Sequence, residues 1–269
     1  MSIPVIIRGG GDLASGVAIR LHRAGINLFI TELEKPLAVR RTVAFAQAIY
    51  SGQIEIEGII GKRVEYIEEA VDFSAQEIIP VIVGPGLNAL SSMRPIVIVD
   101  ARMMKSETDP SITSAPLLIG LGPGFIAGKT CHAVVETVRG HNLGRVFWEG
   151  SAAKNTGIPG TLASHNIDRV LRSPASGQLE PQAEIGDRLK AGDLIAKVNG
   201  AEVRASFDGV LRGLIHPSVD LTAGMKIGDL DPRNDPAFCY RVSDKALAIG
   251  GGVLEAILSR QEIRKQLWQ

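Results

Sequence analysis

The residues best suited to chemistry sit at the start of the chain. Gly9-Gly10-Gly11-Asp12-Leu13-Ala14 reads Gly-x-Gly-x-x-Ala and follows a short apolar run. Thr31-Glu32 closes the next apolar run, at about the twenty-residue spacing of a dinucleotide fingerprint. In such a turn Gly9 reverses the chain, Gly11 lets backbone approach a pyrophosphate, and Ala14 permits close helix–strand packing. The helix that follows offers unpaired N–H groups and partial positive charge to an anion, and Glu32 can accept the hydroxyls of a ribose. Asp12 cuts the other way, because it brings a carboxylate near the phosphates. Its plain structural reading is a helix cap worth about 1 kcal/mol.

Further candidates follow along the chain. Gly84 and Gly86 end one apolar run, Asp100 and Arg102 another, and Gly122 and Gly124 a third. Arg40 and Arg41 lie in an expected helix, where at most one need face a cleft and hold a phosphate or carboxylate bidentately. His132 and Glu136, four apart on another expected helix, are the acid–base candidates, with Arg139 and His141 close behind as anion-binding residues. A solvated helix face explains Arg40 and Arg41 equally well, and for any single residue of the His132 group an ordinary surface pair and a cation-rich helix end are the favoured reading. Pro123 to Thr130 imitates a phosphate-binding loop but has Pro where the first Gly belongs, so an ATPase reading is rejected. Cys131 would have a low-pKa thiol if a helix began near Lys129, whereas Cys239 reads as buried and inert. Gly250-Gly251-Gly252 has no acidic partner downstream, and close helix packing accounts for it. No metal-ligating set is evident.

These residues need strands and helices to hold them. Residues 3–8, 27–31, 78–83, 95–99 and 117–121 are strand-like apolar runs of the kind buried on both faces of a parallel sheet. Helical spacing marks residues 13–24, 37–51 and 253–267, and residues 238–242 read as a strand. From 173 to 231 the chain turns to short strands and repeats itself at an offset of thirty-two residues: Gly177, Leu179, Leu189, Ala191, Gly192 and Ile195 match Gly209, Leu211, Leu221, Ala223, Gly224 and Ile227. Two such units should pack on each other. The expected fold is α/β: a Rossmann-like parallel sheet domain with an inserted all-β barrel-sandwich module of the biotinyl/lipoyl kind. The expected domains are a nucleotide-binding unit at 1–168, the module at 169–235, and a C-terminal segment at 236–269 that returns to the first unit.

Composition narrows the function. Lys+Arg and Asp+Glu number 29 each, so no net field favours nucleic acid. Two cysteines cannot make a disulfide framework. No apolar run nears the roughly twenty residues of a membrane helix, and the N-terminus lacks a signal peptide's features, so a cytoplasmic location is expected.

Several blocks carry a family likeness. GGGDLASGVAIRLHRAG, TELEKPLAVRRTVAFAQAIYSG, VGPG, GLGPGF, ETVRGHNLGRV, EGSAAKNTG and SDKALAIGGGVLEAIL together resemble the YqeB-type accessory proteins of the selenium-dependent molybdenum hydroxylase system, and more distantly XdhC-type factors. The resemblance implies maturation of a molybdenum hydroxylase. Its implied partners are the hydroxylase apoenzyme or its other maturation factors, and a homo-oligomer is compatible with it. The expected ligand is a nucleotide or dinucleotide: molybdopterin dinucleotide would satisfy both the fingerprint and the resemblance, and NAD(P) would satisfy the fingerprint alone. The matched blocks contain Gly9–Asp12, Thr31, Glu32, Arg40, Arg41, His132, Glu136, Arg139 and His141, whereas Lys129-Thr130-Cys131 departs from the family's pattern. Residues 198–203, which match the carrier hairpin of biotinyl and lipoyl modules, hold no lysine, so neither biotin nor lipoate is expected. Two alternatives stand beside this reading. One is an NAD(P)-dependent oxidoreductase, for which no hydride-transfer set is visible; the other is a non-catalytic docking chaperone.

Overall fold

In the computed structural model the described residues are 5–66, 69, 77–84, 94–103, 111–154 and 167–267. The chain begins with β1 (Val5–Arg8), α1 (Asp12–Arg23) and β2 (Leu28–Glu32), and continues through α2 (Ala48–Ser51), β3 (Gln53–Ile56) and β4 (Ile59–Val64). The remaining strands of the main sheet are β5 (Ile79–Val83), β6 (Val97–Asp100), β7 (Leu117–Leu121), β8 (Ala133–Val135) and β9 (Val146–Phe147). Together they form one nine-stranded sheet in the order β3-β4-β5-β2-β1-β6-β7-β8-β9. Neighbours from β4 to β8 pair in parallel, but β3 and β9 close the two edges antiparallel. The expected all-parallel Rossmann-like sheet is therefore corrected to a mixed one. The central strands are uniformly buried because both faces are covered.

The two faces are covered differently. One buries Val5, Ile7, Val97 and Val99 beneath α1 and α3 (Asp244–Ser259). The other buries Ile6, Phe29, Ile98 and Leu118 under Phe125, Ala127 and Cys131, which belong to a loop, and no described α-helix lies in that cluster. α3 crosses α1 at very short range. A Cβ on Gly16 would lie 2.5 Å from the Ala246 carbonyl oxygen, and one on Gly250 would lie 2.5 Å from that of Gly16. Close helix packing thus accounts for Gly250, inside a helix that starts earlier than the periodicity of residues 253–267 predicts. A short α4 (Gln261–Arg264) follows it.

The second unit holds β10 (Val170–Arg172), β11 (Leu179–Pro181), β12 (Arg188–Leu189), β13 (Leu194–Val198), β14 (Ala201–Arg204), β15 (Gly209–Leu214) and β16 (Lys226–Asp231). These strands make two antiparallel sheets, β10-β16-β15-β12 and β11-β13-β14. The barrel-sandwich expectation is corrected to this pair of small sheets. The two sequence repeats share one core, in which Leu179, Ile195, Leu211 and Ile227 are all buried, and they bridge each other at Gly177 and Leu221.

Three local expectations fail for one reason: long-range burial overrides short-range periodicity. Residues 37–51 form 3-10 turns and the single turn α2 rather than a helix, because Val43, Phe45 and Ala46 are each drawn into the core from different directions. His132 and Glu136 flank strand β8 rather than sharing a helix. Residues 236–239 form a 3-10 turn where a strand was expected.

Candidate functional site

The carboxyl ends of β1, β2 and β6 open onto a cleft of about 590 Å³, within the range of small-molecule sites. Its walls include Arg8, Gly9, Gly11, Asp12, Leu13, Ala14, Thr31, Glu32, Gly84 and Arg102, together with Leu33, Leu37, Ala38, Ala101 and Met103.

The three glycines of the turn serve three different needs. Gly9 has φ +92°, a left-handed conformation that a side chain would strain. Gly10 lies against the Ala46 backbone, where a Cβ would stand 2.9 Å from the amide nitrogen. Gly11 is the N-cap of α1, and a Cβ there would meet nothing within 4 Å, because it would project into the cleft. The turn is tied down by Gly9 N–H donating to Thr31 O at 2.8 Å and Ala46 N–H donating to Gly10 O at 2.9 Å.

The cap expected of Asp12 does not form. Gly11 holds the cap position, no side chain accepts there, and Asp12 is the first helical residue. The first intrahelical bond is Ser15 N–H to Gly11 O, so the N–H groups of Asp12, Leu13 and Ala14 precede it. The Asp12 carboxylate instead receives Arg40 Nη1 at 3.2 Å. Arg40 is buried, and its Nη2 donates to the carbonyls of Phe238 and Arg241 at 3.2 Å each. It thus clasps the C-terminal segment and neutralises Asp12, and it does not line the cleft. Arg41 turns away as well: its Nε donates to Leu214 O at 2.7 Å, in the second unit.

Glu32 lies at the cleft floor, with its carboxylate fastened on both sides. Gly10 N–H donates to Oε1 at 2.8 Å and Leu33 N–H to Oε2 at 2.6 Å. Burial pushes its carboxyl above the usual range, and the two N–H groups offset part of the rise. Asp100 is wholly buried beneath the cleft, with Arg8 Nη1 at 3.3 Å and Arg102 Nη2 at 2.6 Å. It orients the two arginines and does not face the ligand space.

The acid–base pair proposed from sequence is not brought together. His132 precedes β8 and Glu136 follows it, so about 13 Å of extended chain separates them. His132 Nδ1 accepts the Leu118 N–H at 2.9 Å, and burial, then Arg260, pulls its pKa down. Glu136 is buried and accepts the N–H groups of Thr137, Val138 and Ala153 at 2.7–2.8 Å. Arg139 is exposed and clamps Asp244 through two 2.7 Å bonds, and His141 is exposed. Gly122 packs against Thr137, and Gly124 is exposed with φ +101°. Gly86 lies outside the described residues. Burial lifts the Cys131 thiol to about 11, against the reactive-thiol expectation, and raises that of Cys239 too.

Sequence reasoning missed Arg8, Leu33, Leu37 and Met103 as cleft walls. Arg8 had a signal, a charged residue ending an apolar strand; the others depend on the irregular path of residues 33–47.

Fold and site together define an α/β protein with a ligand-sized cleft at a glycine turn. No protein-family model matches the chain. The chain is similar to the protein described as "Uncharacterized protein YqeB" of Escherichia coli K12, at 46% identity over 254 residues, or 94% of this chain. It spans about half of that relative, 47% of its length. Solved structures with some likeness are the ectoine utilization protein EutE (DoeB) of Ruegeria pomeroyi, at 12% identity and TM-score 0.27, and an aspartoacylase family protein of Mesorhizobium loti, at 12% and 0.26. Coverage is 85% of this chain and 86% of that one for the first, and 86% and 85% for the second. Likeness this slight transfers neither fold nor activity. The expected role in maturing a molybdenum hydroxylase is corrected: the relative that the chain matches gives it no support. That relative is itself described only as uncharacterized. Among the described residues no helix is long and apolar enough to cross a membrane.

Proposed function

We propose that the cleft binds a phosphate-bearing small molecule of nucleotide size. One observation carries this reading: the uncapped start of α1 faces the cleft, and the carboxylate on its first residue, Asp12, is paired with Arg40. Free N–H groups and the positive end of a 12-residue helix favour an anion there. Gly11 gives the phosphate close access to backbone. Each Glu32 oxygen takes one N–H and keeps acceptor capacity for a sugar hydroxyl. Leu33, Leu37 and Met103 supply an apolar wall for a flat ring.

The test is calorimetric titration with ADP of the wild-type chain and of Gly11→Val. The Gly11 backbone is extended, with φ −64° and ψ 179°, so valine fits the fold and fills the cleft. The expected result is wild-type binding, and its loss in a variant with an unchanged melting temperature. Equal binding by both chains would overturn the assignment.

A further inference from the structure

Two arginines in the walls of the cleft share one carboxylate. Arg8 and Asp100 are register partners in the parallel pair β1–β6, so their side chains leave the same face of the sheet. By strand alternation that is the face of Ile6 and Ile98, opposite to α1. Asp100 is wholly buried there. Its Oδ2 receives Arg8 Nη1 at 3.3 Å and Arg102 Nη2 at 2.6 Å, and its Oδ1 receives Arg102 Nε at 3.0 Å. The Arg102 backbone N–H joins Oδ1 at 3.3 Å. Asp100 thus grips Arg102 along its Nε and Nη2 edge, and the Nη1 corner of the planar group is turned away from that carboxylate.

Arg102 also stands directly against the glycine turn. A Cβ on Gly9 would lie 3.4 Å from the Arg102 Cα and from the Ala101 carbonyl. Ala101 N–H donates to Arg8 O at 2.9 Å, which ties the chain after β6 to the end of β1. The next residue, Met103, has φ +56°, a left-handed conformation uncommon for a side chain of this kind. The backbone is therefore bent at the cleft rim, where the Arg102 side chain is 26% exposed. The cleft runs from the start of α1 over the carboxyl edge of β1 and β6 to the two arginines. The carboxylates among its described walls are Asp12, paired with Arg40, and Glu32, held by two backbone N–H groups.

We propose that Arg8 and Arg102, set by Asp100, form a second anion subsite of the cleft, in which Arg102 binds the second phosphate of a ligand whose first phosphate lies on α1. This rests on the nucleotide reading and deepens it: the ligand carries a diphosphate. A guanidinium fixed beforehand by a buried carboxylate loses little freedom when the phosphate arrives, and its planar donors match the phosphate oxygens. Asp100 is then a positioning residue, which acts on the ligand through the two arginines.

The experiment titrates wild type and Arg102→Gln with ADP, AMP and inorganic pyrophosphate, with thermal melts to show that the variant is folded. Wild type should prefer ADP to AMP, and Arg102→Gln should lose about tenfold or more of that preference. A merely structural role would weaken both nucleotides together and leave the preference intact. If Arg102→Gln does not fold, Arg102→Lys decides: it keeps the charge without the planar fork, and its preference should fall by about threefold or more. If neither nucleotide binds wild type but pyrophosphate raises its melting temperature and not that of the variant, the nucleotide reading falls and the Arg102 subsite stands. An ADP-to-AMP preference unchanged in the deciding variant, a wild type that does not distinguish ADP from AMP, or a wild type indifferent to all three probes would overturn the subsite.

Discussion

Asp12 and Arg40, twenty-eight residues apart, form an ion pair at 3.2 Å whose cationic partner is almost wholly buried and whose anionic partner borders the cleft. The pair offsets the charge of the residue least compatible with phosphate binding. Asp12→Asn should therefore tighten ADP binding several-fold, since it removes the remaining negative charge at the start of α1. Arg40→Met should weaken it at least tenfold and destabilise the fold by about 1–3 kcal/mol, because it strips the partner from Asp12 and from the carbonyls of Phe238 and Arg241. Denaturant melts and titrations of both variants and of the double variant give the coupling. Additive effects would show that the pair does not act as a unit.

The glycines of α3 make a sharper stability prediction, because neighbours in the same triplet should respond with opposite sign. A Cβ on Gly250 collides with backbone of α1, whereas one on Gly251 meets nothing within 4 Å. Gly250→Ala should cost several kcal/mol through overpacking between two backbones that cannot part. Gly251→Ala should stabilise by about 0.5–1 kcal/mol through helix propensity and a less flexible unfolded chain. Urea melts of the two variants decide it, and a stabilising Gly250→Ala would refute the tight crossing.

Much of this was legible where chemistry and local pattern coincide. Residues 5–32 read correctly as strand, glycine turn, helix and strand, because burial on both faces and the needs of Gly9 and Gly10 leave few alternatives. Residues 37–51 misled because Val39, Val43, Ala46 and Tyr50 happen to fall at helical spacing. Val39 and Tyr50 pack against the core of the second unit, whereas Val43 and Ala46 are buried outside that cluster. His132 and Glu136 misled in the same way, since a four-residue spacing does not distinguish a helix face from the two ends of a short strand.

Arg139 and Asp244 offer a pH prediction with a definite sign. The paired guanidinium holds the Asp244 carboxyl at about 2, against an ordinary 3.8. A depressed folded-state value means that the contribution is complete above 3.8 and fades as pH falls towards 2. The Asp244 side chain is 73% exposed, so screening keeps the contribution below about 1 kcal/mol. Asp244→Asn should be less stable than wild type at pH 6, and the gap should close by pH of about 2 in low salt. A gap that stays constant through the acid range would assign the difference to helix capping rather than to the ion pair.

Cys131 provides a direct check on the sheet face that carries no described helix. Its side chain is fully buried among Ile98, Leu118, Phe125 and Val134, and burial holds the thiol near 11. At pH 8 fewer than about one in a hundred molecules would carry the thiolate that attacks an alkylating reagent. Native protein treated with iodoacetamide at that pH should leave Cys131 unmodified, and guanidinium-unfolded protein should react at the rate of a free cysteine. Cys239, buried where Arg212 and Arg40 only partly offset the cost of charging it, should resist in the same way. Rapid native alkylation of Cys131, read by peptide mass, would mean that the loop holding Phe125 and Ala127 opens on the reaction timescale. The core on that face would then be only intermittently closed.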